Sequence, residues 1–197
     1  MSDEKRVLSW FEENYKGLIA GLVIGLSILY GYKTYISNEN TQQLELSRQY
    51  DLAINEYNSG KIDKILTFTR TNIIQNPKNI YTNLASLYSA KEMYKQSDYK
   101  EAYVFFDHII KYSSDDEIQS LAKYRKAKLL IEEKKYQKAH TVIGIEPDNY
   151  QHIELKGDLY LIQNKYAQAI NHYNNALTYS LTPNERKNII AKINLIK

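Results

Sequence analysis

The sequence predicts an all-α protein, with an N-terminal transmembrane helix followed by an α-solenoid of helix pairs. Three observations carry this expectation. Residues 17–32 form a run without a formal charge, bounded by Lys16 and Lys33. Beyond residue 37, apolar side chains recur at helical spacing between short polar turns, with no alternating strand pattern long enough to compete. A short motif, Tyr-x-x-Ala, then returns three times in a fixed context.

The 16 residues of the uncharged run, GLIAGLVIGLSILYGY, cover about 24 Å as a helix, slightly less than the roughly 30 Å hydrocarbon core of a bilayer. The flanks supply the difference. Lys16 and Lys33 can snorkel, and Trp10, Phe11 and Tyr15 on one side with Tyr30, Tyr32 and Tyr35 on the other form interfacial belts. Lipid is thus the first expected partner. A cleaved secretory signal shares the charged start and short apolar run, but the bulky Tyr-Gly-Tyr-Lys-Thr-Tyr that closes it disfavours cleavage, so an uncleaved signal anchor fits better. Lys5, Arg6 and Lys16 precede the helix and only Lys33 follows closely, which points the N-terminus to the cytoplasm. The expected domains are a cytoplasmic segment at 1–16, a signal anchor at 17–35 and an exported helical domain at 36–197. Gly17, Gly21 and Gly25 repeat at spacing four, which marks a face where another transmembrane helix can approach; glycine is also simply common in such helices.

The repeat emerges on superimposing Tyr99 to Ala102, Tyr136 to Ala139 and Tyr166 to Ala169. Nine residues before each Tyr stands a small residue, Ala90, Ala127 or Gly157, and four after each Ala a large one, Phe106, Ile143 or Tyr173. A small residue on one helix lets the next helix come close, and the Tyr covers the turn. The arrangement resembles the tetratricopeptide repeat, although the unit length varies, with successive Tyr 37 and 30 residues apart. Upstream, helices at 41–58 and 61–75 joined at Ser59-Gly60 form a worn first pair, since Ala53 lies 37 residues before Ala90. Downstream, Thr182-Pro183-Asn184-Glu185 offers a capping box for a terminal helix.

Several function classes are excluded or disfavoured. The chain has no cysteine, which removes disulfides, thiol nucleophiles and Cys-based metal sites. Beyond residue 33, 22 basic residues stand against 19 acidic ones, so no nucleic-acid footprint is expected. The enrichment in Asn, Ile, Lys and Tyr is what an AT-rich genome imposes. His108, His140, His152 and His172 lack ligand spacing and are expected at the surface or in a groove. Asp115, Asp116 and Glu117 read as the acidic first turn of a helix rather than a metal cluster. No catalytic constellation, metal site or cofactor motif emerges, and an enzyme is not expected.

In order, the chain carries Trp-Phe-Glu-Glu-Asn-Tyr-Lys-Gly at 10–17, a Gly-spaced anchor closing on Gly-Tyr-Lys-Thr-Tyr, Leu-Ala-Ser-Leu at 84–87, and a late Ala-Leu followed by Leu-Thr-Pro at 181–183. This order is similar to that of the YfgM family of Gram-negative bacteria, the ancillary subunit of the SecYEG translocon. The resemblance implies a single-pass inner-membrane protein whose domain lies in the periplasm. Its implied partners are the SecYEG translocon, a membrane-anchored periplasmic chaperone and exported client polypeptides. The alternative is a tetratricopeptide adaptor for envelope-stress regulation or envelope assembly, independent of the translocon. By the register of tetratricopeptide repeats, Leu87, Lys91, Tyr94, Tyr124, Lys128, Ile131, Glu154, Asp158 and Leu161 are the candidate groove residues, a mixture suited to an extended or helical peptide.

Overall fold

The structure, a computed structural model, describes residues 3–145, 147 and 149–196, with side chains at all of these except 3–8, 11–12 and 37–40. The side chains of Lys5, Arg6 and Phe11, invoked above for orientation and belt, therefore lie outside the described residues. Every regular element among the described residues is helical. The chain divides into two compact units, Met1–Asp51 and Leu52–Lys197.

The first unit is helical from its third residue, as part of α1 (Asp3–Asn58). The sequence suggested an anchor and a separate helix from residue 41; the backbone is helical throughout, and neither Pro nor Gly interrupts residues 32–58. Leu22, Val23, Ile24, Leu26, Ile28 and Leu29 are all exposed, so this stretch is not a core helix of the unit, and it is long and apolar enough to cross a membrane. Its polar side chains are satisfied internally: Ser27 Oγ donates to the Val23 carbonyl at 2.8 Å and Thr34 Oγ1 to the Tyr30 carbonyl at 2.9 Å. Lipid would offer no partner for a hydroxyl, and these local bonds would satisfy both residues there.

The second unit contains the last turns of α1 and eight further helices: α2 (Asp63–Gln75), α3 (Ile80–Lys95), α4 (Tyr99–Tyr112), α5 (Asp116–Glu132), α6 (Tyr136–Ile143), α7 (Tyr150–Ile162), α8 (Tyr166–Ala176) and α9 (Pro183–Asn194). Helices α3 and α4, α5 and α6, and α7 and α8 pack as hairpins, and the first helices of successive pairs also touch, α3 against α5 and α5 against α7. Three apolar clusters follow one another along the chain, the first around Phe105, Phe106 and Ile109, the second around Leu130, Leu155 and Leu159, the third around Tyr173, Ile189 and Ile193. The first two join more than one pair and the third joins the last pair to α9, as a solenoid requires, because a single pair cannot bury its own apolar face.

One turn recurs at every junction within a pair. The N–H of Ser97 donates to the Tyr94 carbonyl and that of Asp98 to the Met93 carbonyl; the same two bonds appear at Lys134 and Lys135, at Asn164 and Lys165, and at Gly60 and Lys61. This is the Schellman closure, which satisfies helix-end carbonyls and needs one left-handed residue. Gly60 takes φ of 87° freely and Asn164 tolerates 59°, whereas Ser97 at 61° and Lys134 at 60° bear a cost of roughly 1–2 kcal/mol each. The turn at Gly60, with Ala53 buried seven residues before it, places the worn first pair in the same series as the others.

Helix starts are capped as their sequences dictate. Asn79, Asp98, Asp115 and Asn149 each accept a backbone N–H with the side chain, and Thr182 and Glu185 complete the expected capping box. Asp115 is therefore an N-cap, with Asp116 and Glu117 in the first turn of α5, and no group that could hold a metal occurs among the described residues.

The histidines correct the sequence reading. His108 and His152 are buried, 7% and 4% exposed, rather than superficial. His108 packs at 5.1 Å from the Tyr112 ring, and His152 Nδ1 lies 2.8 Å from Asn149 Oδ1. His140, Tyr160 and His172 form a row of three rings with centroids 5.1 and 5.2 Å apart, the first contact tilted by 53° and the second stacked. Burial pushes His108, His140 and His172 below the usual imidazole range, with Lys156 adding to the effect at the last two.

Two outcomes follow. A Cβ on Gly157 would lie 2.6 Å from the buried Tyr173 ring, so Gly157→Ala should cost about 1–3 kcal/mol in urea unfolding followed by circular dichroism; an unchanged midpoint would mean that the ring can yield. Because the fold disfavours the imidazolium form, the unfolded chain binds more protons, and the histidine contribution to stability is complete above about pH 6.5 and is lost as pH falls. The melting temperature should therefore drop from about pH 7 to about pH 5, and the double change His140→Gln, His172→Gln should flatten that profile.

Candidate functional site

The wall formed by α3 and α5 carries an open cleft of about 340 Å³, lined by Lys91, Tyr94, Phe106, Arg125, Lys128, Leu129 and Glu132. Its floor is apolar: Phe106 and Leu129 belong to the first core cluster and are almost fully buried. Its edges are polar. Tyr94, 41% exposed, donates its hydroxyl to Glu132 Oε2 at 2.9 Å and so ties α3 to α5, and this carboxylate raises the Tyr94 phenol above its usual range. Lys91 lies 6.0 Å from the centre of the Tyr57 ring and Lys128 lies 5.7 Å from that of Tyr124, positions that hold the ammonium groups by cation–π attraction without neutralising them.

Lys91, Tyr94 and Lys128, expected in a groove from the sequence, are thus brought together. Leu87 is not: although it lies one turn before Lys91 on the same side of α3, it is 8% exposed and packs within the first core cluster. Tyr124 and Ile131 are half-buried against the second cluster, where Tyr124 meets His152 edge to face at a centroid distance of 6.0 Å. Burial, then Glu154 and Asp158, raise the Tyr124 phenol. Leu161 is half-buried against the third cluster.

Glu154 and Asp158 belong to a different constellation. Lys192, on α9, donates to Glu154 Oε1 at 2.6 Å and to the two oxygens of Asp158 at 2.7 and 2.8 Å. Asp158 also accepts the hydroxyl of the buried Tyr173 at 2.7 Å. Burial alone would lower the Lys192 ammonium, but the hydrogen bonds to the two carboxylates outweigh it and raise the group. These two acids therefore fasten the terminal helix to α7 rather than face a ligand. The sequence reading missed Arg125, Glu132 and Lys192; Glu132 follows Tyr94 by one repeat plus one residue, and Arg125 precedes Lys128 by one helical turn, spacings that mark both as neighbours.

A family model described as a tetratricopeptide repeat-like domain matches residues 8–197. Among curated relatives, the "Ancillary SecYEG translocon subunit" of Buchnera aphidicola subsp. Acyrthosiphon pisum is 28% identical over 89% of this chain and 90% of its own length. The protein of the same name from Buchnera aphidicola subsp. Schizaphis graminum is 31% identical over 64% of this chain and 66% of its own. That from Escherichia coli K12 is 24% identical over 95% and 92%. No solved structure gives a significant match.

Replacing Lys192 with Met would leave Glu154 and Asp158 facing each other without a cation. The change should lower stability by roughly 1–2 kcal/mol, less than for a fully buried pair because the side chains remain partly wet. Limited proteolysis should then release α9 earlier than in the parent; equal cleavage kinetics would show that apolar contacts alone hold it.

Proposed function

Since the chain belongs to the tetratricopeptide repeat-like domain family, we propose that it is a membrane-anchored ancillary subunit of the SecYEG protein translocon, a non-enzymatic module that binds other polypeptides. The observation that carries this reading is the shared name of relatives whose alignments extend over both the apolar helix and the repeats, up to 95% of the chain. In this reading residues 1–16 are cytoplasmic, 17–35 form an uncleaved signal anchor in the bacterial inner membrane, and 36–197 lie in the periplasm, assisting exported polypeptides together with a membrane-anchored chaperone. The excess of basic residues before the apolar run supports that orientation.

Two surfaces divide the work. Gly17, Gly21 and Gly25 have open space where a Cβ would stand, which suits close approach of a translocon helix, with van der Waals contact that lipid tails do not match. The cleft between α3 and α5 would receive a polypeptide, with its apolar floor taking a side chain and its polar edges the backbone.

Photoreactive residues at Gly25 and at Tyr94 in the full chain, crosslinked in membranes, test this division. Translocon subunits should be captured from Gly25, and exported chains or a chaperone from Tyr94. Capture of a stress regulator or an envelope-assembly factor from Tyr94, with no translocon subunit at Gly25, would replace the proposal with the adaptor reading.

A further inference from the structure

Part of the charge in the second unit is paired within the fold. Glu92 pairs with Lys95, Glu101 with Arg70, Asp107 with Lys126, Glu133 with Lys135, and Glu154 and Asp158 with Lys192. The cleft between α3 and α5 gathers three of the cations that are not so paired. Lys91, Arg125 and Lys128 line it and none of them makes an ion pair among the described residues, while the one acid in the lining, Glu132, keeps its charge as it accepts the Tyr94 hydroxyl, which leaves an excess of two positive charges. Three cations over a floor of Phe106 and Leu129 form a surface that is electrostatically incomplete.

From this we infer that the cleft selects acidic polypeptide segments, extended stretches in which carboxylates flank an aliphatic or aromatic side chain. The inference rests on the reading of the cleft as a polypeptide site and specifies what that site prefers. The apolar side chain enters over Phe106 and Leu129, leaving water for a surface already dry on its far side. Carboxylates on either side of it meet Arg125 and Lys128 on α5 and Lys91 on α3. Arg125 suits a bidentate carboxylate contact, whereas the two lysines act as point charges kept in place by tyrosine rings. Basic segments meet three like charges and are turned away, so selection works by repulsion as well as attraction. At the α7 side Lys192 offsets one of the two charges of Glu154 and Asp158, which lowers their competition with this preference.

The test uses the full chain in detergent micelles and two fluorescent peptides that share alternating Leu and Phe positions, one with Asp and Glu between them and one with Lys. Fluorescence anisotropy should show the acidic peptide bound about tenfold or more tightly over the basic one, with the difference shrinking as salt rises. The double change Arg125→Glu, Lys128→Glu should invert the order, gaining the basic peptide as it loses the acidic one, a result that misfolding would not give. Equal affinity for both peptides, untouched by the charge reversal but lost in Tyr94→Ala, would overturn the charge preference and leave the cleft a polypeptide site. Failure of both peptides to bind, or binding indifferent to Tyr94→Ala, would overturn both readings.

Discussion

The second unit depends on close approach within each helix pair, set by one small residue on the first helix. Ala90, Ala127 and Gly157 occupy equivalent places seven residues before the left-handed turn, and the two alanines are wholly buried. What they face varies, and the small residue varies with it. Phe106 and Ile143 share clusters with an alanine, while Tyr173, the bulkiest of the three, stands against a glycine whose missing methyl is filled by its ring. The match is one of volume: interiors packed near crystalline density leave no slack for both partners to be large.

Much else follows from this contact. Bringing the helices together positions the Tyr173 hydroxyl against Asp158, which joins Glu154 in holding Lys192, and thereby closes the end of the array. The same geometry repeated at α3 and α5 sets adjacent first helices side by side and leaves the cleft between them. The cleft is thus a product of regular stacking, and its chemistry comes from substitutions at exposed positions that stacking does not constrain.

The architecture was legible because it rests on local rules. The apolar run, the recurring small residue, the Tyr-x-x-Ala motif and the capping box each have a short-range cause, and the resemblance to the YfgM family drawn from their order is matched by the names of the curated relatives. What was not legible depends on neighbours distant in sequence. His108 and His152 are polar by type, yet ring packing and an Asn cap make them core residues. Leu87 lies one turn from Lys91 on α3 but is covered by the first core cluster, and the two acids on α7 are claimed by a lysine on the last helix. Pairings between helices of this kind have no signature in a single repeat.

The third pair is shorter than the second. Its second helix, α6, has eight residues where α4 has fourteen, and successive turns fall 30 residues apart there instead of 37. A loss of seven is close to two full helical turns, so the shortened segment returns to nearly the same rotational phase and keeps its apolar face aimed at its neighbours. The shortened end is sealed by Lys156, whose ammonium reaches the carbonyls of Gly144 and Ile145. A unit shortened by nearly whole helical turns keeps its buried side toward the core and needs only a cation to reseal its exposed end, whereas one shortened out of phase would turn that side to water.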